Sequence, residues 1–322
     1  MDRLTLAIPT NRGLAAVEEN LLNVIRISGK KKCKLVVSDN SGDGEKQQRL
    51  SKILGDAYHL SGEAEGAGNW AFALSKVQTD FVGFVADDDW LVDLPEADPK
   101  IVPNDYVCMM PQVLISAPNL GPYSYKNFNL NQESPFARLE QYAVQSAGAN
   151  SILYGFWRKD LLENMYRISL KHPCPAGYQD WVISEAMLAE GKVLSLGSLL
   201  YCYNNNNWFG PEDAIKGELQ QLLRRADLPP ALADLDGYLR IIDLVCFFAR
   251  SEGYRLPLEA RMEILSDRLS QLSSSLEIDL LGKVVNAALN AIEKVSEEAK
   301  QRYSRYIEQS VDHAVLDSLE LW

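Results

Sequence analysis

Residues 81–90 read Phe81-Val-Gly-Phe-Val-Ala-Asp87-Asp88-Asp89-Trp90, an apolar run that ends in three consecutive carboxylates. The run has strand length and strand composition. Adjacent carboxylates repel one another and lose solvation when crowded, so a triplet at a strand end needs a counter-charge. A hard divalent cation with oxygen ligands would supply it; a solvated acidic turn is the competing reading.

Working outward, strands alternate with helices on both sides. Leu4–Ile8 and 33–37 read as strands, with helical spacing at Leu14, Val17, Leu21, Val24 and Ile25 between them. Residues 45–54 read as a helix, 57–60 as a short strand and 70–77 as a helix leading into the 81–85 strand. This alternation predicts an α/β fold with parallel pairing and helices on both faces of the sheet. Ligands in such sheets lie beyond the carboxyl ends of the strands. The polar residues following each strand, Pro9-Thr10-Asn11-Arg12 and Ser38-Asp39-Asn40, are therefore the first candidates for function. Read singly, each is more often a cap or an Asx turn.

Further along, 106–115 reads as a strand, 116–133 as a long loop rich in Pro, Gly, Asn and Tyr, and 135–145 as a helix. Residues 152–157 and 193–203 read as strands, with helices at 159–168 and 179–189. From Glu212 the pattern is helical only, at 212–226, 230–252, 257–275 and 278–310. In the last of these, Leu281, Val285, Ala288, Ile292, Val295 and Ala299 form a narrow apolar stripe suited to packing on a helix of this chain or of a partner.

Composition excludes several classes. The 322 residues carry a net charge of −12, which argues against binding nucleic acid through its phosphates. Five cysteines lie scattered with no close pair, the usage of a reduced cytoplasmic protein. No leader pattern opens the sequence, and no uncharged apolar run approaches the roughly 18–20 residues that span a bilayer. A soluble protein is expected, one that could still work at a membrane surface.

Taken together, LTLAIPTNRG, KLVVSDNSGDG and GAGNWAFALSKVQTDFVGFVADDDWL resemble the family 2 glycosyltransferases of the GT-A fold; GANSILYGFWRKDLL and YQDWVISEAMLAEGKVLSLGSLLYCY resemble them more faintly. The resemblance spans about residues 1–208. It implies a Rossmann-like nucleotide-binding mixed sheet flanked by helices over 1–210, with a donor half (1–115) and an acceptor half (116–210). An all-α domain over 211–322 would follow, for oligomerisation or acceptor placement.

The resemblance also implies roles. Asp39 would contact the nucleotide base, uracil in the usual case, with Pro9, Thr10, Arg12 and Asn69 completing the donor pocket. Asp87, Asp88 and Asp89 correspond to the D-x-D region that binds Mn²⁺ or Mg²⁺. Asp88 is the ligand common to both registers, since many members carry aspartate where Ala86 stands; Asp89 is either a further ligand or a donor-ribose contact. Asp180, in Tyr178-Gln-Asp-Trp181, corresponds to the catalytic base of inverting members; otherwise it is a helix N-terminal carboxylate. Trp157, Trp181 and Trp208 are candidates to stack on sugars, and Asn204–Asn207 to bond sugar hydroxyls. The implied activity is transfer of a sugar from a nucleotide-sugar donor, UDP-linked by preference, to a glycan or lipid-linked acceptor.

Two other readings stand beside it. Gly66-Ala-Gly68-Asn-Trp-Ala71 fits the dinucleotide-binding pattern of an NAD(P)-dependent dehydrogenase. A non-catalytic carbohydrate-binding module of the same fold is the other.

Overall fold

The computed structural model describes residues 3–63, 66–97, 99, 102–117, 120–146, 149–175, 179–205, 210–250, 252–272 and 281–319. Contacts divide the chain into two units. The first comprises Met1–Glu163 and Gly191–Asn206, and the second comprises Asn164–Glu190 and Asn207–Trp322. The second division falls close to the expected boundary at 210, but 164–190 clusters with the C-terminal helices.

The first unit is built on a sheet of nine strands among the described residues. β1 (Leu4–Thr10) is buried along its whole length, as a central parallel strand covered on both faces must be. α1 (Leu14–Lys31) leads to β2 (Lys34–Asp39), then α2 (Gly44–Leu54), β3 (Tyr58–Leu60), α3 (Gly66–Lys76) and β4 (Phe81–Phe84). β1 pairs in parallel with both β2 and β4, and β2 with β3. The spatial order β3-β2-β1-β4 reverses direction between β1 and β4. That reversal opens a crevice at the carboxyl ends of these two strands, where α/β sheets take their ligands.

The rest of the sheet is mixed. β5 (Trp90–Asp93) pairs antiparallel with β9 (Lys192–Asn204), which lies parallel to β6 (Tyr106–Ala117). β8 (Phe156–Arg158) joins β4 to β6, antiparallel to both. Gly83 permits this junction, because a Cβ there would lie 2.0 Å from a Phe156 ring carbon. The fold class is the expected one: a mixed sheet flanked by helices, followed by an all-helical C-terminal region.

Several elements differ from their sequence readings. The 116–133 stretch contains β7 (Gly121–Lys126), paired with β6; its Tyr-Ser-Tyr alternation at 123–125 marks an edge strand among loop-forming residues. Where a strand over 152–157 is expected, Ser151–Tyr154 forms a 3-10 turn ahead of the three-residue β8. α4 (Pro135–Ser146) and α5 (Lys159–Ser169) are as expected.

The second unit contains α6 (Asp180–Glu190), α7 (Glu212–Arg225), α8 (Asp236–Phe248), α9 (Leu258–Leu272), α10 (Leu281–Val295), α11 (Glu297–Ser310) and α12 (His313–Ser318). The long helix expected over 278–310 is two helices. Ser296 leaves helical geometry at φ −163° and caps α11, accepting from the Ala299 N–H, with Glu297 and Glu298 in the favoured first turn. Likewise, Pro230–Leu235 is a 3-10 turn before α8. The stripe residues Val285, Ala288, Ile292 and Ala299 are buried, with α10 packed on α8 and α11 of this chain. No helix among the described residues is long and apolar enough to cross a membrane.

Candidate functional site

The carboxyl ends of β1, β2 and β4 are bound into one hydrogen-bonded chain. Thr10 closes β1 and donates from Oγ1 to Asp87 Oδ2 at 2.6 Å. Asp39 closes β2; its Oδ1 accepts from the Ser41 N–H at 2.9 Å and from Lys46 Nζ at 3.2 Å, and its Oδ2 from the Tyr58 hydroxyl at 2.6 Å. Lys46 also donates to Thr10 Oγ1 and to the Arg12 carbonyl, each at 2.7 Å. The chain therefore runs Tyr58–Asp39–Lys46–Thr10–Asp87 without a break.

Lys46 was not among the residues singled out by sequence, yet it is wholly buried at the centre of this network. A buried ammonium requires paired and hydrogen-bonding partners, which Asp39, Thr10 and the Arg12 carbonyl provide. Its position follows from α2. Asp43 caps that helix by accepting from the Glu45 and Lys46 N–H groups, and it accepts from the Leu14 N–H at the start of α1 as well. One carboxylate thus sets two helix starts against the β1 and β2 ends.

The three aspartates point to different fates. Asp87 is buried and meets Thr10 and Arg12, the latter at 3.1 Å from Nη1. The Asp88 side chain is more open, 28% exposed, and lies 2.9 Å from the same Nη1. Arg12 thus places one positive charge between two carboxylates. Partial burial acts to lower the Arg12 pKa, but Asp87 and Asp88 outweigh it and the net shift is upward.

Asp89 is 1% exposed, and each of its oxygens accepts a hydrogen bond: Oδ2 from the Tyr201 hydroxyl at 2.5 Å and Oδ1 from the Asn204 N–H at 2.8 Å. Burial pushes its pKa up to about 7 against those hydrogen bonds. Asp89 ties the β4–β5 connection to β9. The third-ligand and ribose-contact expectations fall on oxygens that each already accept one hydrogen bond.

A divalent cation fits this donor set in one form. Among the described residues no group of three or more His, Cys, Asp or Glu side chains could hold a metal ion by itself. Mg²⁺-type sites use one or two carboxylates and take their remaining ligands from substrate phosphates and water. Asp88 and Asp87 match that pattern, and the Arg12 guanidinium already stands as the cation between them.

Other expected residues have structural duties. Asn69 is buried; it donates to the Ser38 carbonyl at 3.2 Å and to Asn40 Oδ1 at 3.1 Å, and accepts from the Ser38 hydroxyl. It joins α3 to the end of β2. Pro9 pairs in register with Ser38. Trp157 is fully buried with its indole N–H on the Ile152 carbonyl, so it is core and not a sugar platform. Trp208, Asn206 and Asn207 lie outside the described residues, as does Tyr178.

The dinucleotide reading weakens at Gly68, where a Cβ would come 2.8 Å from Glu63 Oε2. A carboxylate against the glycine turn would repel a pyrophosphate. Asp180 opens α6 in the second unit, where its charge and, more strongly, burial hold the Tyr166 hydroxyl well above its ordinary pKa.

No protein-family model and no curated protein matches the sequence. The fold is similar to that of several solved glycosyltransferase structures. Residues 1–349 of S. aureus TarS in complex with UDP-GlcNAc give a TM-score of 0.48 at 14% identity, over 97% of this chain and 93% of that one. The mannosyltransferase PcManGT from Pyrobaculum calidifontis, in complex with GDP-Man and Mn²⁺, gives 0.41 at 13%, over 99% and 83%. Glucosyl-3-phosphoglycerate synthase from Mycobacterium tuberculosis, in complex with phosphoglyceric acid, gives 0.36 at 12%, over 70% and 80%.

Proposed function

We propose that this chain is a metal-dependent inverting glycosyltransferase that moves a sugar from a nucleotide-sugar donor, UDP-linked by preference, to a hydroxyl of a glycan or other acceptor. The observation that carries the reading is the junction of Arg12 with Asp87 and Asp88 beyond the β1 and β4 ends, continuous through Thr10 and Lys46 with Asp39. A base-recognition end and a phosphate-recognition end thus share one crevice.

In this reading Asp39 Oδ2, which accepts only from Tyr58 among the described residues, has acceptor capacity for a base N–H. Arg12, 42% exposed at its side chain, turns its remaining donors to the diphosphate. Asp88 and Asp87 hold Mn²⁺ or Mg²⁺, and when bound the cation supplies charge neutralisation at the leaving diphosphate. Asp180 takes the proton from the acceptor hydroxyl as that oxygen attacks the anomeric carbon opposite the leaving group. One such attack inverts the centre.

The test is calorimetry of UDP, with and without Mn²⁺, followed by hydrolysis of a sugar-nucleotide panel. UDP binding that requires Mn²⁺ and is lost in Asp88→Ala is expected. Stabilisation by NAD without metal, and none by any nucleoside diphosphate, would overturn the proposal.

A further inference from the structure

The second unit contains a concave basic pocket that the donor-site reading leaves unused. It measures about 250 Å³ and is lined by Lys171, His172, Arg302, Arg305, Tyr306 and Gln309, together with two prolines. Arg302, Arg305, Tyr306 and Gln309 stand at i, i+3, i+4 and i+7, so they share one face of α11. Lys171 follows α5. In a protein of net charge −12, the lining includes no carboxylate.

Two of its cations, Arg302 and Lys171, are held in place without being neutralised. Arg302 Nη1 donates to the Ala226 and Asp227 carbonyls at 2.9 and 3.2 Å, and Nη2 to the Pro173 carbonyl at 2.7 Å. Lys171 donates to the Gln309 carbonyl at 2.5 Å. These contacts use some N–H groups and leave others, and among the described residues neither side chain nor Arg305 pairs with a carboxylate. Burial, then the charge of Arg250, moves the Lys171 pKa below its ordinary value. Arg250, whose charge acts on Lys171, has a buried Nη1 that makes no hydrogen bond. A buried cationic donor without a partner is costly unless an anion or ordered water meets it.

His172 in the lining is buried. The His172 ring accepts at Nδ1 from the Cys174 N–H at 2.9 Å, and its Nε2 faces Asp243 Oδ1 at 3.2 Å. Asp243 is 0% exposed. The ring also meets Tyr306 edge-on at 5.0 Å between centroids.

We propose that this pocket is an anion site for a phosphate group, taken as orthophosphate or a phosphomonoester. Two guanidinium groups and an ammonium offer the forked and point donors that phosphate oxygens accept, and a dianion answers several cations better than a carboxylate does. The volume is below the roughly 300–1,000 Å³ of pockets that hold drug-sized ligands, which excludes a whole nucleotide sugar and suits a small phosphate. The pocket shares no residue with the Asp39–Arg12 network and does not depend on the glycosyltransferase reading.

The test is isothermal titration of the full chain with sodium phosphate at constant ionic strength, comparing wild type with Arg305→Gln, Lys171→Met and, as a control on the other unit, Arg12→Gln. Saturable binding of one phosphate per chain is expected. It should weaken about tenfold in Arg305→Gln and in Lys171→Met, and be unchanged in Arg12→Gln. Arg305 is exposed, so circular dichroism of that variant should match wild type. Displacement of phosphate by glycerol 1-phosphate would assign the monoester; binding of phosphate alone would assign the free ion. Absence of saturable binding, wild-type affinity in both pocket variants, or loss in Arg12→Gln alone would each overturn the proposal.

Discussion

Lys46 Nζ donates to Thr10 Oγ1 at 2.7 Å, so the first turn of α2 is hydrogen-bonded to the last residue of β1. Because the same ammonium meets Asp39, it holds the two strand ends at one spacing. Replacing it with methionine keeps the length and leaves Asp39 buried without its counter-charge. Lys46→Met should lower stability by about 3–5 kcal/mol, the cost of breaking a buried pair on one side. Lys46→Met with Asp39→Asn should recover part of that loss. Urea unfolding followed by tryptophan fluorescence measures both, and additive losses would contradict the pairing.

Asp88 and Asp89 are neighbours in sequence with opposite expected phenotypes. Asp88 is partly exposed and competes with Asp87 for Arg12, so Asp88→Ala should leave unfolding within about 0.5 kcal/mol of wild type. It should nonetheless abolish the Mn²⁺-dependent stabilisation by UDP. Asp89→Ala strands the Tyr201 hydroxyl and the Asn204 N–H, and should cost about 2–4 kcal/mol without any ligand. Thermal melts of the two variants, each with and without Mn²⁺ and UDP, separate the roles. Equal destabilisation by both would refute the assignment.

The sequence displayed this site unevenly, and for physical reasons. Thr10, Asp39 and the aspartate triplet could be located because a parallel sheet puts function at strand ends, and strand ends follow from hydrophobic pattern. Lys46 could not, since it stands in the polar run Glu45-Lys46-Gln47-Gln48-Arg49 and reads as a solvated helix residue. The one available signal was its spacing of four from Leu50, which puts it on the buried face of α2. The hydrogen bonds of Asp89 were not legible either, because its partner Tyr201 lies 112 residues away. The membership of 164–190 in the helical unit was equally hidden, since helix periodicity reports that a face is buried and not what buries it.

Glu190, at the end of α6, should make the second unit less stable as pH rises. Its Oε2 accepts from the Arg255 and Leu256 N–H groups, yet burial outweighs these bonds and raises its pKa. A carboxyl with a raised folded-state pKa binds its proton more tightly when folded, so stability falls as pH climbs from about 4.5 through the raised value. Glu190→Gln keeps an acceptor for both N–H groups and cannot ionise. Its stability relative to wild type should therefore increase between pH 4 and pH 7 in urea titrations. A constant difference across that range would show that Glu190 does not titrate as described.

Asp180 separates chemistry from binding. It lies at the first position of α6 in the second unit, whereas the Asp39–Arg12 network belongs entirely to the first. Asp180→Asn keeps the shape and removes the basicity, so it should lower kcat by about 10²–10⁴-fold as the loss of a general base does. UDP affinity in the presence of Mn²⁺ should stay within twofold of wild type, because no group in the Asp39–Arg12 network is altered. A helix-terminal role alone would instead leave kcat near wild type and lower the melting temperature, since an aspartate there contributes about 0.3–1 kcal/mol through the helix dipole. Measuring kcat, UDP affinity and melting temperature on the same preparation distinguishes the base from the cap.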